Sequence, residues 1–175
     1  MAYLLNAYAV DLNAVKQEVG RGDAKLQAAI IKSHPDEFDD DDDFEPGSNR
    51  VLLRDALNHL LAGKAALSGD FSQHAYALEE LCRYLAKKEW STYLLPQQKR
   101  TINRFLNGPP VDLPDEAGFP NVGWIGRQEL PASACQIEKE WIEQSDGELP
   151  EDEAKVLGVL AYAVKKGLDI VLFYG

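Results

Sequence analysis

The sequence predicts an α+β protein, a mainly helical single domain packed on a small sheet that includes the N- and C-terminal strands. Three observations carry that expectation. A largely apolar run free of Gly and Pro opens the chain at Tyr3 to Val10. A more apolar one closes it at Leu168 to Tyr174. Between them, apolar residues recur mostly at the three- and four-residue spacing of helices. A final strand so apolar escapes aggregation only when paired inside a sheet, and the opening strand is its natural mate.

The elements follow in order. Asp11 is placed to cap a helix through its carboxylate and Gly20 to end it, with Leu12, Val15 and Val19 on one face. Asp23 caps a second helix, with Leu26, Ala29 and Ile30 inward, stopped by His34-Pro35. An acidic loop, 36–46, comes next. Like charges this dense repel one another, which predicts a solvated segment anchored at its ends by Phe38 and Phe44. Helicity resumes after Gly47, with Ser48 or Asn49 as cap, an apolar face from Val51 to Leu61, and Gly63 as stop. After a loop from Leu67 to Phe71, Gln73 to Trp90 reads as one amphipathic helix with Tyr76, Ala77, Leu81, Cys82 and Leu85 inward.

Pro96 starts a shorter helix with Ile102, Phe105 and Leu106 buried, ended by Asn107-Gly108. Gly108 to Pro120 carries four prolines and reads as an irregular connection. Asn121 to Leu130 fits either a turn around its glycines or a short strand. Ala132 to Gln144 is a helix turning Cys135, Ile137 and Trp141 to one side. Pro150 and the acids Glu151, Asp152 and Glu153 suit the positive end of the closing helix, Lys165 and Lys166 its negative end, and Gly167 its cap. Its inward face is Val156, Leu157, Val159, Leu160, Ala163 and Val164. No repeat or linker divides the chain, so 1–175 reads as one domain.

Composition narrows the classes. The 175 residues are 45% hydrophobic, near the ~45–50% of ordinary globular domains, which excludes a fibrous, mostly disordered or disulfide-dependent chain. The formal charge of −11 comes from 18 basic and 29 acidic residues. Eight of those acids fall between Asp36 and Glu45, and the remainder of the chain is close to neutral. No basic stripe is present to displace counterions from phosphate, so neither nucleic acid nor an anionic membrane surface is an expected partner. No window approaches the ~18 apolar residues of a membrane span. The first residues carry no base, and Asn6 and Asp11 interrupt any signal-like core. A cytoplasmic protein is expected, with Cys82 and Cys135 as buried, reduced thiols.

Two segments are candidates for chemistry. Asp39, Asp40, Asp41, Asp42 and Asp43 form a candidate contact for a basic protein partner. They lack the spaced ligands, turn glycine and distant Glu of a calcium loop, and His34, His59 and His74 show no zinc spacing, so no metal site is expected. No glycine-rich phosphate loop or G-x-S-x-G motif occurs, and no cofactor is implied. The second segment is Gly123 to Glu129. Here Trp124 can line a pocket, Arg127 can pair an anionic group and Glu129 can act as base or orienter, with Tyr8 completing the site. The competing reading makes Trp124 core and Arg127 a surface ion-pair partner. The remaining carboxylates, Glu79-Glu80 among them, read as solvated helix faces.

Three pieces together, A-Y-A-V-D-L at Ala7 to Leu12, G-W-I at Gly123 to Ile125 and the terminal I-V-L-F-Y-G, resemble a bacterial domain of unknown function. The chain is more distantly similar to the YfbM-like family, which also opens on a Tyr-containing strand and ends in an apolar strand at glycine. The resemblance implies a compact cytosolic α+β domain and transfers no catalytic residue; the acidic insert departs from its pattern. The functional expectation is therefore a non-enzymatic interaction protein, immunity-type or regulatory, using an acidic surface. The alternative is a small hydrolase or ligand-binding domain with a pocket near Trp124, Arg127 and Glu129.

Overall fold

The computed structural model describes residues 4–39, 51–67, 70–94, 96–114, 118–145 and 147–175. Four strands, β1 (Leu4–Val10), β2 (Lys88–Tyr93), β3 (Asn121–Ile125) and β4 (Asp169–Tyr174), form one antiparallel sheet in the order β2-β1-β4-β3. The first and last strands are its central pair, in register from Leu5 opposite Tyr174 to Val10 opposite Asp169. Leu4 and Gly175 exchange backbone hydrogen bonds of 2.7 and 3.1 Å, so the two chain ends close one corner of the sheet. Every residue of β4 is buried, as its apolar sequence requires.

The described helices are α1 (Leu12–Glu18), α2 (Ala24–Ser33), α3 (Leu53–Leu61), α4 (Phe71–Leu85), α5 (Pro96–Asn103), α6 (Leu130–Gln144) and α7 (Glu151–Lys166), with 3-10 turns at Pro35–Phe38 and Ala65–Leu67. Strand alternation sends Tyr8, Val122, Val171 and Phe173 to one face of the sheet. There they pack with Val15, Ile30, Leu57 and Leu78 from α1 to α4. Leu5, Ala7, Ala9, Ile170 and Leu172 point the other way, against Ile102, Ile137, Trp141 and Val156 from α5 to α7. The sheet is thus the middle of three layers, which explains why β1 and β4 are mostly apolar on both faces rather than alternating.

Local chemistry agrees with the sequence at most helix ends. The Asp11 carboxylate accepts from the Asn13 N–H at 3.0 Å, and Asp23 accepts from Lys25 and Leu26 at 2.9 and 3.1 Å. Gly167 ends α7 in the left-handed region at φ +64°. The segment left open between turn and strand is β3, and Gly123 is needed there. A Cβ at that position would stand 1.9 Å from the Phe105 carbonyl oxygen. This close approach brings Asn107 and Gly108 onto the outer edge of β3. Trp124 N–H donates to Asn107 Oδ1 at 3.0 Å, and Gly108 N–H donates to the Val122 carbonyl at 3.0 Å, which closes much of that edge.

Several expectations are corrected. The helix expected over Gln73 to Trp90 ends at Leu85. Ala86 turns extended, Lys87 N–H donates to the Ala9 carbonyl, and β2 follows. Lys88 and Glu89 favour a helix by propensity, but the free edge of β1 offers a partner and pairing prevails. Cys82 is buried while Cys135 is exposed, because it lies two residues, or about 200° of helix, from inward-facing Ile137. Tyr76 is 40% and Val164 38% exposed rather than buried. Helix α3 begins at Leu53, not Val51. The candidate caps Ser48 and Asn49, and Phe44, lie outside the described residues. Among the described residues no helix is long and apolar enough to cross a membrane.

Candidate functional site

Arg127 follows β3, on the turn that enters α6, and its backbone N–H, Nε and Nη2 are committed. Its backbone N–H and Nε donate to Asp169 Oδ1 at 2.7 and 3.2 Å, and its Nη2 donates to Asp169 Oδ2 at 2.7 Å and to Asp11 Oδ1 at 2.7 Å. Leu12 N–H donates to Asp169 Oδ2 at 3.0 Å. Burial alone would raise the Asp169 carboxyl, but the Arg127 side-chain bonds and the Leu12 and Arg127 amides hold it below the usual carboxylate value. Arg127 therefore ties the start of β4 to the first turn of α1.

Tyr8 and Trp124 share a sheet face, on strands that flank Val171 of β4. Trp124 is half-buried against the core, with Lys16 Nζ 5.5 Å from its ring centroid. Glu129 is exposed and precedes α6 without a side-chain cap bond. Tyr8 is buried, and its hydroxyl points away from Arg127 toward α4, where it donates to Glu79 Oε1 at 2.9 Å. None of these four residues lines the surface clefts of about 350, 440 and 310 Å³.

The cleft of about 440 Å³ opens between β1, the 3-10 turn and α4. Its base holds Asn6, Glu79 and Glu80; Leu4, Leu53 and Tyr76 wall it; Glu37 and Arg83 stand at its rim. Glu79 and Glu80 are 5% and 4% exposed. Being consecutive on a helix, they diverge by about 100°. Glu79 meets β1, where Asn6 Nδ2 and Tyr8 Oη donate to its Oε1 at 2.6 and 2.9 Å. Glu80 meets Arg83 Nη1 through Oε1 at 2.8 Å. The same Arg83 nitrogen donates to Glu37 Oε1 at 3.3 Å.

Among the described residues this cluster holds more carboxylate than cation. Burial raises Glu79 above the ordinary carboxyl value despite the Tyr8 and Asn6 donors and the Arg83 charge. Burial pushes Glu80 up to about 7, with Arg83 opposing it and Glu37, Glu79 and Glu89 adding to it. Burial, and then the neighbouring Glu79 charge, raise the Tyr8 phenol as well. Glu80 Oε2 and Asn6 Oδ1 are buried with no hydrogen bond among the described residues. His34 Nδ1 comes within 3.1 Å of Glu80 Oε2, off the line of a hydrogen bond, and also faces Ser33 Oγ at 3.2 Å. The arrangement can accept protons or hydrogen bonds from a cationic group. No local signal in the sequence marks it: α4 is buried without a break from Ala77 to Cys82, acids included, only once its neighbours are in place.

Asp39 is exposed at the end of the 3-10 turn, and Asp40 to Asp43 lie outside the described residues. His59 and His74, far apart in sequence, stack across α3 and α4 with ring centroids 5.7 Å apart. His74 Nδ1 donates to the Asp70 carbonyl at 2.6 Å, while His74 Nε2 and His59 Nδ1 are buried with no hydrogen bond among the described residues. Among the described residues no three His, Cys, Asp or Glu side chains gather as a metal site would require.

No curated protein and no solved structure matches the chain. A family model does match, from residue 1 to residue 175. On that full-length match, the chain belongs to the family described as Domain of unknown function (DUF7691).

Proposed function

We propose that this protein is a non-enzymatic binding protein, immunity-type or regulatory, that engages a basic protein partner through acidic surface. The cleft between β1 and α4 is its point of recognition, and Asp39 to Asp43 steer the approach. One observation carries the reading: Glu79 and Glu80, each more than nine-tenths buried, line an open cleft with Glu37, and among the described residues lining it Arg83 is the one guanidinium. Paired charges buried for structure alone come balanced and hydrogen-bonded; here acceptors are in surplus. Two free thiols suit a reducing cytosol. The bacterial origin and the distant YfbM-like kinship belong to the same proposal, resting on the terminal strands and the Gly123 to Ile125 patch.

The alternative, a hydrolase or ligand site near Trp124, Arg127 and Glu129, needs a guanidinium free to meet an anion. Arg127 already gives its Nε and Nη2 to Asp169 and Asp11, which favours the binding reading. The test uses short poly-L-lysine as probe at low and high salt. Its affinity should fall with salt. It should fall at least about tenfold further in Glu79→Gln/Glu80→Gln than in the surface control Glu151→Gln/Asp152→Asn, which removes the same charge. Equal losses in the two variants, or affinity indifferent to salt, would overturn it.

A further inference from the structure

We infer that the cleft between β1 and α4 is a specificity pocket for one side-chain cation, the ammonium of a lysine or the guanidinium of an arginine carried by the partner. The inference rests on the binding reading above and narrows it from an acidic surface to a single inserted residue.

Three features define the ligand. The first is the set of acceptors. Glu80 is 4% exposed; its Oε1 meets Arg83, and its Oε2, with His34 Nδ1 3.1 Å away, receives no hydrogen bond among the described residues. Asn6 Oδ1 receives none either, its Nδ2 being turned to Glu79 Oε1. Glu79, meanwhile, takes its bonds among the described residues from the neutral donors Asn6 and Tyr8. Three acceptor groups around one cleft match the three N–H bonds of an ammonium or one edge of a guanidinium.

The second feature is the wall. Leu4, Leu53 and Tyr76 offer apolar surface on the way in, which suits an aliphatic stem and not a bare ion. Tyr76, 40% exposed, leaves ring surface free for a cation to cross. The third is size. About 440 Å³ lies at the lower end of the ~300–1,000 Å³ range of small-ligand pockets, and takes a side chain rather than a domain surface.

The pocket is also sensitive to pH. The charged and titratable groups facing Glu80 are Glu79 and Arg83 on α4, Glu37 on the 3-10 turn, His34 at the end of α2 and Glu89 on β2. With Glu80 titrating at about 7, a proton and the incoming cation compete for one carboxylate. Binding should weaken by about tenfold between about pH 8 and about pH 6.

Calorimetry with N-acetyl-lysine methylamide, N-acetyl-arginine methylamide and N-acetyl-norleucine methylamide tests the pocket. The two cationic amides should bind and the norleucine amide should not. Glu79→Gln/Glu80→Gln should abolish binding while melting as a folded protein, and Glu80→Gln alone should remove the pH dependence. Equal binding of the lysine and norleucine amides, or binding that survives the double substitution, would overturn the pocket. Butylamine binding more tightly than the lysine amide would overturn a protein side chain as the source of the cation. Poly-L-lysine bound where the lysine amide is not would sink the pocket and leave the broader binding reading standing. The lysine amide bound where poly-L-lysine is not would do the reverse.

Discussion

Arg127 and Arg83 each meet two carboxylates, Asp169 and Asp11 for the first, Glu80 and Glu37 for the second, and the surroundings make them opposites. Around Arg127 both Asp169 oxygens and Asp11 Oδ1 are used. Asp169 takes the guanidinium fork and two backbone amides, while Asp11 also caps α1. Asp169 is consequently held below the ordinary carboxyl value. Around Arg83 a further carboxylate, Glu79, is buried beside the pair, and both buried glutamates are raised. The comparison teaches that an arginine among acids is a clasp or part of a receptor according to how many acceptors are left over. The arginine itself does not decide it.

Breaking the clasp should have the larger effect. Arg127→Ala leaves Asp169, whose side chain is 6% exposed, without its counter-charge, and releases the start of β4 from α1. Removing one partner of a well-buried pair costs ~3–5 kcal/mol. Arg127 is itself part-exposed, so about 2–3 kcal/mol is expected, seen as a melting temperature lower by roughly 5–12 °C. The loss should be nearly the same at about pH 6 and about pH 8, since Asp169 titrates well below both. A loss under about 0.5 kcal/mol would mean that the network ties nothing together.

Arg83→Met should cost less and depend on pH. Near pH 8 it leaves two buried glutamates facing Glu37 with no guanidinium, for a loss of about 1–2 kcal/mol by urea denaturation. Near pH 5.5 Glu80 takes up a proton and the loss should shrink. A loss that stays constant across that range would show Arg83 to be a clasp like Arg127.

The two networks also differ in how well the sequence announces them. Strand–helix order, the Asp11 and Asp23 caps, the Gly167 stop and the pairing of the chain ends follow from local chemistry, and all are present. Arg127 stood out because Trp, Arg and Glu crowd a short segment, but the partners that consume its donors lie 42 and 116 residues away. Glu79-Glu80 read as a solvated face because acids on helices usually are. Their burial follows from β2 returning beside β1 and from the turn at Pro35–Phe38 covering α4, both tertiary events. The His59–His74 stack was hidden for the same reason, since no spacing rule reports a meeting of two helices. Single positions misread, such as Cys135 and Tyr76, lie at the margins of apolar faces where one residue turns the side chain by about 100°.

The smallest effect, and the one that separates the regions most cleanly, is the shape of stability against pH. Glu80 is raised in the folded protein, so between the unfolded carboxyl value of about 4.3 and about 7 the folded state holds more protons. Its contribution is present at acid pH and is lost as pH rises through about 7. Glu79, raised by burial, acts in the same sense. His74 is lowered, first by burial, with the Asp70 carbonyl opposing and the His59 charge adding to it. Below its unfolded value of about 6.5 the unfolded state holds more protons, so stability falls on acidification. The two slopes oppose each other below about pH 6.5, and above it the Glu80 slope stands alone, a fall of about 1 kcal/mol or less toward pH 8. Glu79→Gln/Glu80→Gln should flatten that fall and leave the His74 slope unopposed on the acid side. His74→Gln should leave the fall in place and let stability climb further on acidification, and Arg127→Ala should lower the whole curve without reshaping it. An alkaline limb untouched by the glutamine pair would place the surplus charge somewhere other than the cleft.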